Sequence, residues 1–180
     1  MTMTFLGSTT SGSSFSSANF TSIPATFTHL QLRIFGRATF NNSGFNGSIY
    51  LTFNGGGTSD YGFRHALNGN GSSVASISGS STGVIHLTDT ISDAGSVANV
   101  YGCVIIDILD YANTNKNKTV RAIGGADNNG TANFGKVTFN SQAWLNTAAI
   151  NAILVGTDSQ FAANSHVALY GISTSEVTGA

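Results

Sequence analysis

At 180 residues the chain is long enough for one domain that buries roughly 70% of the surface its unfolded form exposes, so it needs no disulfide to hold a core. Only 8% of its residues are charged, against about 25% in an average soluble protein, and the net charge is −1. No basic stripe is present to displace counterions from phosphates, which excludes sequence-independent nucleic-acid binding, and the weak self-repulsion of such a surface suits a subunit that lives in an assembly.

The start, MTMTFLGSTTSGSSFSS, lacks the basic and apolar regions of a signal peptide, and nowhere do about 18 apolar residues run together to cross a membrane. The chain therefore reads as cytoplasmic where it is made, with no membrane partner. Residues 1–17 read as a flexible N-terminal arm, disordered when free and ordered by strand addition on a partner, ahead of a single domain over residues 18–180. A first edge strand is expected near Ser14 to Ile23. The only proline, Pro24, has no N–H to give to a strand ladder, so it belongs in the bend before the core strand that opens at Thr28.

In THLQLRIFGR the alternation of Leu30, Leu32 and Ile34 with polar neighbours predicts a half-buried strand. The same period returns in SIYLTFNG, with Ile49, Leu51 and Phe53 inward, and in YGFRHALNG, with Tyr61, Phe63, His65 and Leu67 inward. Clusters such as NNSGFNG, NGGGTSD and NGNGSS tolerate positive φ and predict tight turns between antiparallel strands. STGVIHLTD gives a short strand. VANVYGCVIIDILDY gives the longest, apolar on both faces between Val100 and Leu109, which places it centrally in its sheet or between a sheet and a partner subunit. Cys103 inside it reads as a small buried hydrophobe. After the polar turn ANTNKNK come TVRAIGGA and ANFGKVTFN, then a segment that admits a helical turn at Ser141 to Leu145 and reads better as a strand from Ala149 to Gly156, and finally SHVALYGI. About nine or ten short, evenly spaced strands predict an all-β, antiparallel, jelly-roll-like β-sandwich.

Three groups of residues invite a chemical reading. GSSTG, Gly79 to Gly83, matches the nucleophile-elbow pattern with His86 and Asp89 downstream, but the elbow needs a following helix, and here a strand follows. Asp107 and Asp110, three apart on a strand, diverge, whereas glycosidases aim two carboxyls at one bond; Asp107 is expected to be hydrogen-bonded and Asp110 to start a turn. His29, His65, His86 and His166 stand singly, without the spacing of a zinc site, and nothing argues for calcium at Asp60, Asp127 or Asp158. No catalytic residue, cofactor or metal is therefore assigned. The aromatic residues favour protein contact over sugar stacking, because Phe outnumbers Trp and Tyr at 12 against one and five. The interface candidates are Phe5, Phe15, Phe20, Phe35, Phe45, Tyr50 and Tyr111.

FTSIPATFTHLQLRIFGR, then IYLTFNG, then SHVALYGI resemble, in that order, a jelly-roll-type domain of virion structural proteins of tailed bacteriophages, especially those of cyanobacteria and other aquatic bacteria. Leu30, Leu32 and Arg33, then Phe53, Asn54 and Gly55, then Leu169, Tyr170, Gly171 and Ile172 carry the likeness. The resemblance implies a sandwich that is often a homotrimer and has no catalytic residues to carry over. Such domains serve both capsid surface proteins and fibres. Because the domain is expected to start within about 20 residues of Met1 with no repetitive shaft before it, the expected role is a capsid decoration, or cement, protein whose partner is the major capsid protein on the virion surface. The alternative the resemblance leaves open is a tail- or head-fibre protein contacting host glycans.

Overall fold

The computed structural model describes residues 1–41, 47–56, 60–70, 73–79, 83–127 and 135–174, and among them there are twelve strands and no helix. In chain order they are β1 (Thr2–Thr10), β2 (Phe15–Phe20), β3 (His29–Gly36), β4 (Gly47–Phe53), β5 (Arg64–Gly69), β6 (Val74–Gly79), β7 (Ile85–Ile91), β8 (Gly102–Leu109), β9 (Lys118–Ala126), β10 (Lys136–Trp144), β11 (Ile153–Phe161) and β12 (His166–Ser173). They form two antiparallel sheets, an eight-stranded one ordered β1-β12-β3-β8-β9-β10-β5-β6 and a four-stranded one ordered β2-β11-β4-β7. The smaller sheet packs on the larger one as a jelly-roll-like sandwich, with β2 against β1 and β7 against β8, β9, β10 and β5. Strand β6 forms the far edge of the larger sheet.

Alternation along the strands fills the space between the sheets. Leu30, Leu32 and Ile34 of β3 and Val104, Ile106 and Ile108 of β8 meet a core that includes Ile49, Leu51 and Phe53 of β4 and Ile85 and Leu87 of β7, all of them fully buried. Each such side chain stabilises the fold by about 1.5–3 kcal/mol relative to leaving it in water. Pro24 lies between β2, an edge strand, and β3, as its missing N–H requires. The Tyr111 hydroxyl donates to the Pro24 carbonyl and accepts from the Phe27 N–H at 3.3 Å, so a core phenol pins this bend.

Several expectations are corrected. Residues 2–10 are no free arm: they form β1, paired with β12 at eight register positions from Thr2↔Ser173 to Thr10↔His166. The arm finds its strand-addition partner within its own chain, and removing residues 1–17 would strip β1 and part of β2 from the sandwich. The phase of β5 is the reverse of the expected one. Ala66 and Asn68 face inward, while Phe63, His65 and Leu67 are exposed, because the inner face of β5 meets the polar side of β7 through an Asn68–Asp89 hydrogen bond of 2.8 Å. Cys103 is exposed, since only one face of β8 looks into the sandwich. Ser141 to Trp144 is a continuation of β10 with Gln142 and Trp144 inward, not a helical turn. β11 starts at Ile153 because Asn54 holds the preceding backbone as a loop, its amide bonding Ala149 O, Asn151 N and Ala152 N. Finally, β6 arises from a Ser/Gly-rich stretch that carries almost no alternation signal.

Candidate functional site

β7 lies against β8, β9, β10 and β5 of the large sheet. β7 is the edge of the small sheet, and its free backbone groups would be orphaned there. Side-chain amides from β10 take the place of a neighbouring strand. Gln142 accepts from His86 N at 2.8 Å and donates to Gly62 O and Val84 O at 3.0 and 3.2 Å. Asn140 accepts from Thr88 N at 3.0 Å and donates to Thr88 O at 3.4 Å.

Around this seam His86, Arg64, Tyr50 and Asp158 come together. The His86 ring stacks on Tyr50 with centroids 4.6 Å apart and is in hydrogen-bond contact with the Arg64 guanidinium. Tyr50 donates to Asp158 Oδ1 at 2.5 Å, and Asp158 Oδ2 accepts from Ser48 N at 2.6 Å. Burial, reinforced by Arg64, pushes His86 down from 6.5 to about 4, so it is neutral at pH 7. Burial and then the Asp158 hydrogen bond push the Tyr50 phenol up. Every strong hydrogen bond of this group runs between β4, β5, β7 and β11, and the group acts as a clasp between strands.

The residues that invite a hydrolase reading separate as follows. Ser81 lies outside the described residues. On a regular strand His86 and Asp89 would face apart, but β7 carries a register shift opposite Gly47/Ile49 and Asp89 has φ 53°, so both side chains reach β5. Asp89 is held there by Asn68 and by Lys136 at 3.0 Å. Asp107 accepts from Gln31 at 2.9 Å, while Asp110, in a turn with φ 50°, pairs with Lys116 and lies 3.5 Å from His29. The Lys116 hydrogen bond holds the Asp110 carboxyl below its ordinary value. Among the described residues no group of three or more His, Cys, Asp or Glu is placed to hold a metal ion.

Of the seven aromatic interface candidates, Phe20 and Tyr111 are buried in the core. Phe15 is half-buried and stacks on Phe161, Tyr50 is half-buried in the clasp, and Phe45 lies outside the described residues. Phe5 and Phe35 are exposed, the first edge-on to Tyr170 and the second stacked on Tyr101. Both point outward from the large sheet.

That outer face holds the residues the sequence reading missed. The registers line up Arg33, Ile105, Ile123, Phe139 and Leu67 in one row across β3, β8, β9, β10 and β5. The next row places Cys103, Gly125, Val137, Gly69 and Val74 beside them. Ile123 is 45%, Val137 and Phe139 52%, Leu67 51% and Val74 74% exposed. A groove of about 570 Å³ follows this face, lined in part by His65, Leu67, Arg121 and Phe139. The signal was available in the alternation of β10 and in the two-faced apolar character of β8, but assigning it to an outer face needs the sheet. Comparison with protein-family models, with curated proteins and with solved structures finds no match to this chain.

Proposed function

We propose that the chain is a structural binding protein of a tailed-phage virion, a decoration protein that attaches as a homotrimer to the outer capsid shell and stabilises it by protein contacts. The observation that carries this reading is the chemistry of the outer face, a row of exposed Ile, Phe, Leu and Val on a nearly uncharged chain, which matches the apolar core of protein interfaces. The three motifs of the phage resemblance support it as scaffold. Leu32 and Leu169 are register partners on adjacent β3 and β12, Arg33 lies over the Tyr170 ring at 5.4 Å, and Asn54 clasps the loop before β11. A Cβ at Gly171 would strike the Phe27 ring, so this motif glycine gives Phe27 its seat.

The test is to label virions made by the encoding genome with an antibody to the purified chain and image them by electron cryomicroscopy. Label repeated over the capsid lattice is the expected result. Label confined to tail or projecting fibres would replace this reading with a receptor-binding one directed at host glycans, and unlabelled particles would remove the virion reading altogether.

A further inference from the structure

We infer that the outer face of strands β8, β9, β10, β5 and β6 of the large sheet is a contact surface between copies of this chain, centred on Phe139. The inference rests on the reading of the chain as a multi-copy subunit and adds to it where the copies meet. Leu67, Val74, Ile105, Ile123, Val137 and Phe139 form one continuous patch over five neighbouring strands, because their strand registers place them in two adjacent rows. Their exposures amount to about 500 Å² of apolar side chain, near the upper end for the largest patch on a monomer and well over half of the roughly 800 Å² that each partner buries in a stable complex. The flanking row of Gln31, Asp107, Arg121, Ser141 and His65 supplies the polar rim that brings the face to that size.

The face also has hollows that a second copy can fill. A groove of about 570 Å³, lined in part by His65, Leu67, Arg121 and Phe139, crosses β5, β10 and β9 at the Phe139 end. A depression of about 500 Å³ crosses the same three strands at the Val137 end, where Gly69 and Gly125, the register partners of Val137, leave out their side chains. Opposite charges are also available at the rim, since Asp107 and Arg121 are register partners and a rotated copy can bring one against the other.

The experiment is sedimentation velocity and light scattering of the full chain over a wide concentration range, beside the double variant I123T/F139S. Wild type is expected to self-associate, and the variant to associate about 100-fold more weakly or not at all, because two central apolar anchors are lost. Both sites are about half exposed, so the urea midpoint of the variant is expected to stay near that of wild type, and this measurement separates lost contact from lost fold. A wild type that stays monomeric throughout, or a folded variant that associates as tightly as wild type, overturns the inference. Capsid pelleting with the same variant distinguishes the two levels. A monomer whose variant no longer pellets with capsids would assign the face to the capsid protein, and self-association without any virion label would keep the contact and remove the virion reading.

Discussion

Replacing Gln142 with leucine removes a side chain that is 2% exposed and serves one backbone donor and two backbone acceptors, His86 N, Gly62 O and Val84 O. Leucine matches the volume but satisfies none of them. Leaving a buried backbone group unpaired costs about 1–3 kcal/mol, and water reaching the seam recovers part of it, so a loss of about 3–5 kcal/mol is expected. That is a large fraction of the stability of a domain this size. Gln142→Glu provides an internal comparison: its carboxylate still accepts from His86 N but cannot donate to Gly62 O or Val84 O, and it carries a charge into a buried place, so it is expected to fall at least as far. Equilibrium urea denaturation, followed by tryptophan fluorescence from Trp144 two residues away, measures the change as a shift in midpoint at constant slope. A loss under about 1 kcal/mol for Gln142→Leu would refute the argument that β10 amides stand in for a missing strand beside β7.

Tyr111→Phe keeps the buried ring and removes the hydroxyl that joins Pro24 O to Phe27 N; a loss of about 1–2 kcal/mol is expected in the same denaturation assay, together with faster amide exchange at Phe27. Asn54 has φ 54° and three side-chain hydrogen bonds to the loop at Ala149 to Ala152, so Asn54→Gly keeps the conformation and loses the clasp, whereas Asn54→Ala loses both. Alanine is expected to be worse than glycine by about 1 kcal/mol, and equal losses would show that the left-handed backbone carries no weight there. His86 binds its proton more weakly folded, at about 4, than unfolded, at 6.5, so the unfolded chain takes up more protons between these values and stability falls as pH drops through that window. With the half-exposed ring discounted for solvent screening, the loss is about 1–2 kcal/mol, and His86→Asn is expected to flatten that part of the stability curve; parallel curves for the two proteins would rule His86 out as the source.

The strands that the sequence made legible are those whose inward faces are aliphatic. Leu30, Leu32 and Ile34, and Ile49, Leu51 and Phe53, alternate against polar neighbours and meet the apolar core, so period and phase agree. β5 and β10 alternate just as clearly, yet their phase cannot be read the same way, because their buried side is Asn68, Thr138, Asn140 and Gln142 and their exposed side is Leu67, Val137 and Phe139. The rule that apolar residues face inward assumes an apolar layer opposite. Here the layer opposite is the edge of β7, whose backbone requires amides and hydroxyls as partners, and the apolar side is left facing out. β1 escaped for a different reason: TMTFLGSTT has exposed residues on both faces, as suits an edge strand held by backbone pairing to β12 rather than by burial. The candidate site follows from the same inversion. A strand pair with a polar buried side and an apolar exposed side is held in the monomer by the partners it gives β7, Gln142 and Asn140 to its backbone and Asn68, Lys136 and Arg64 to its side chains, and it leaves on the outer surface the row that a second copy would cover.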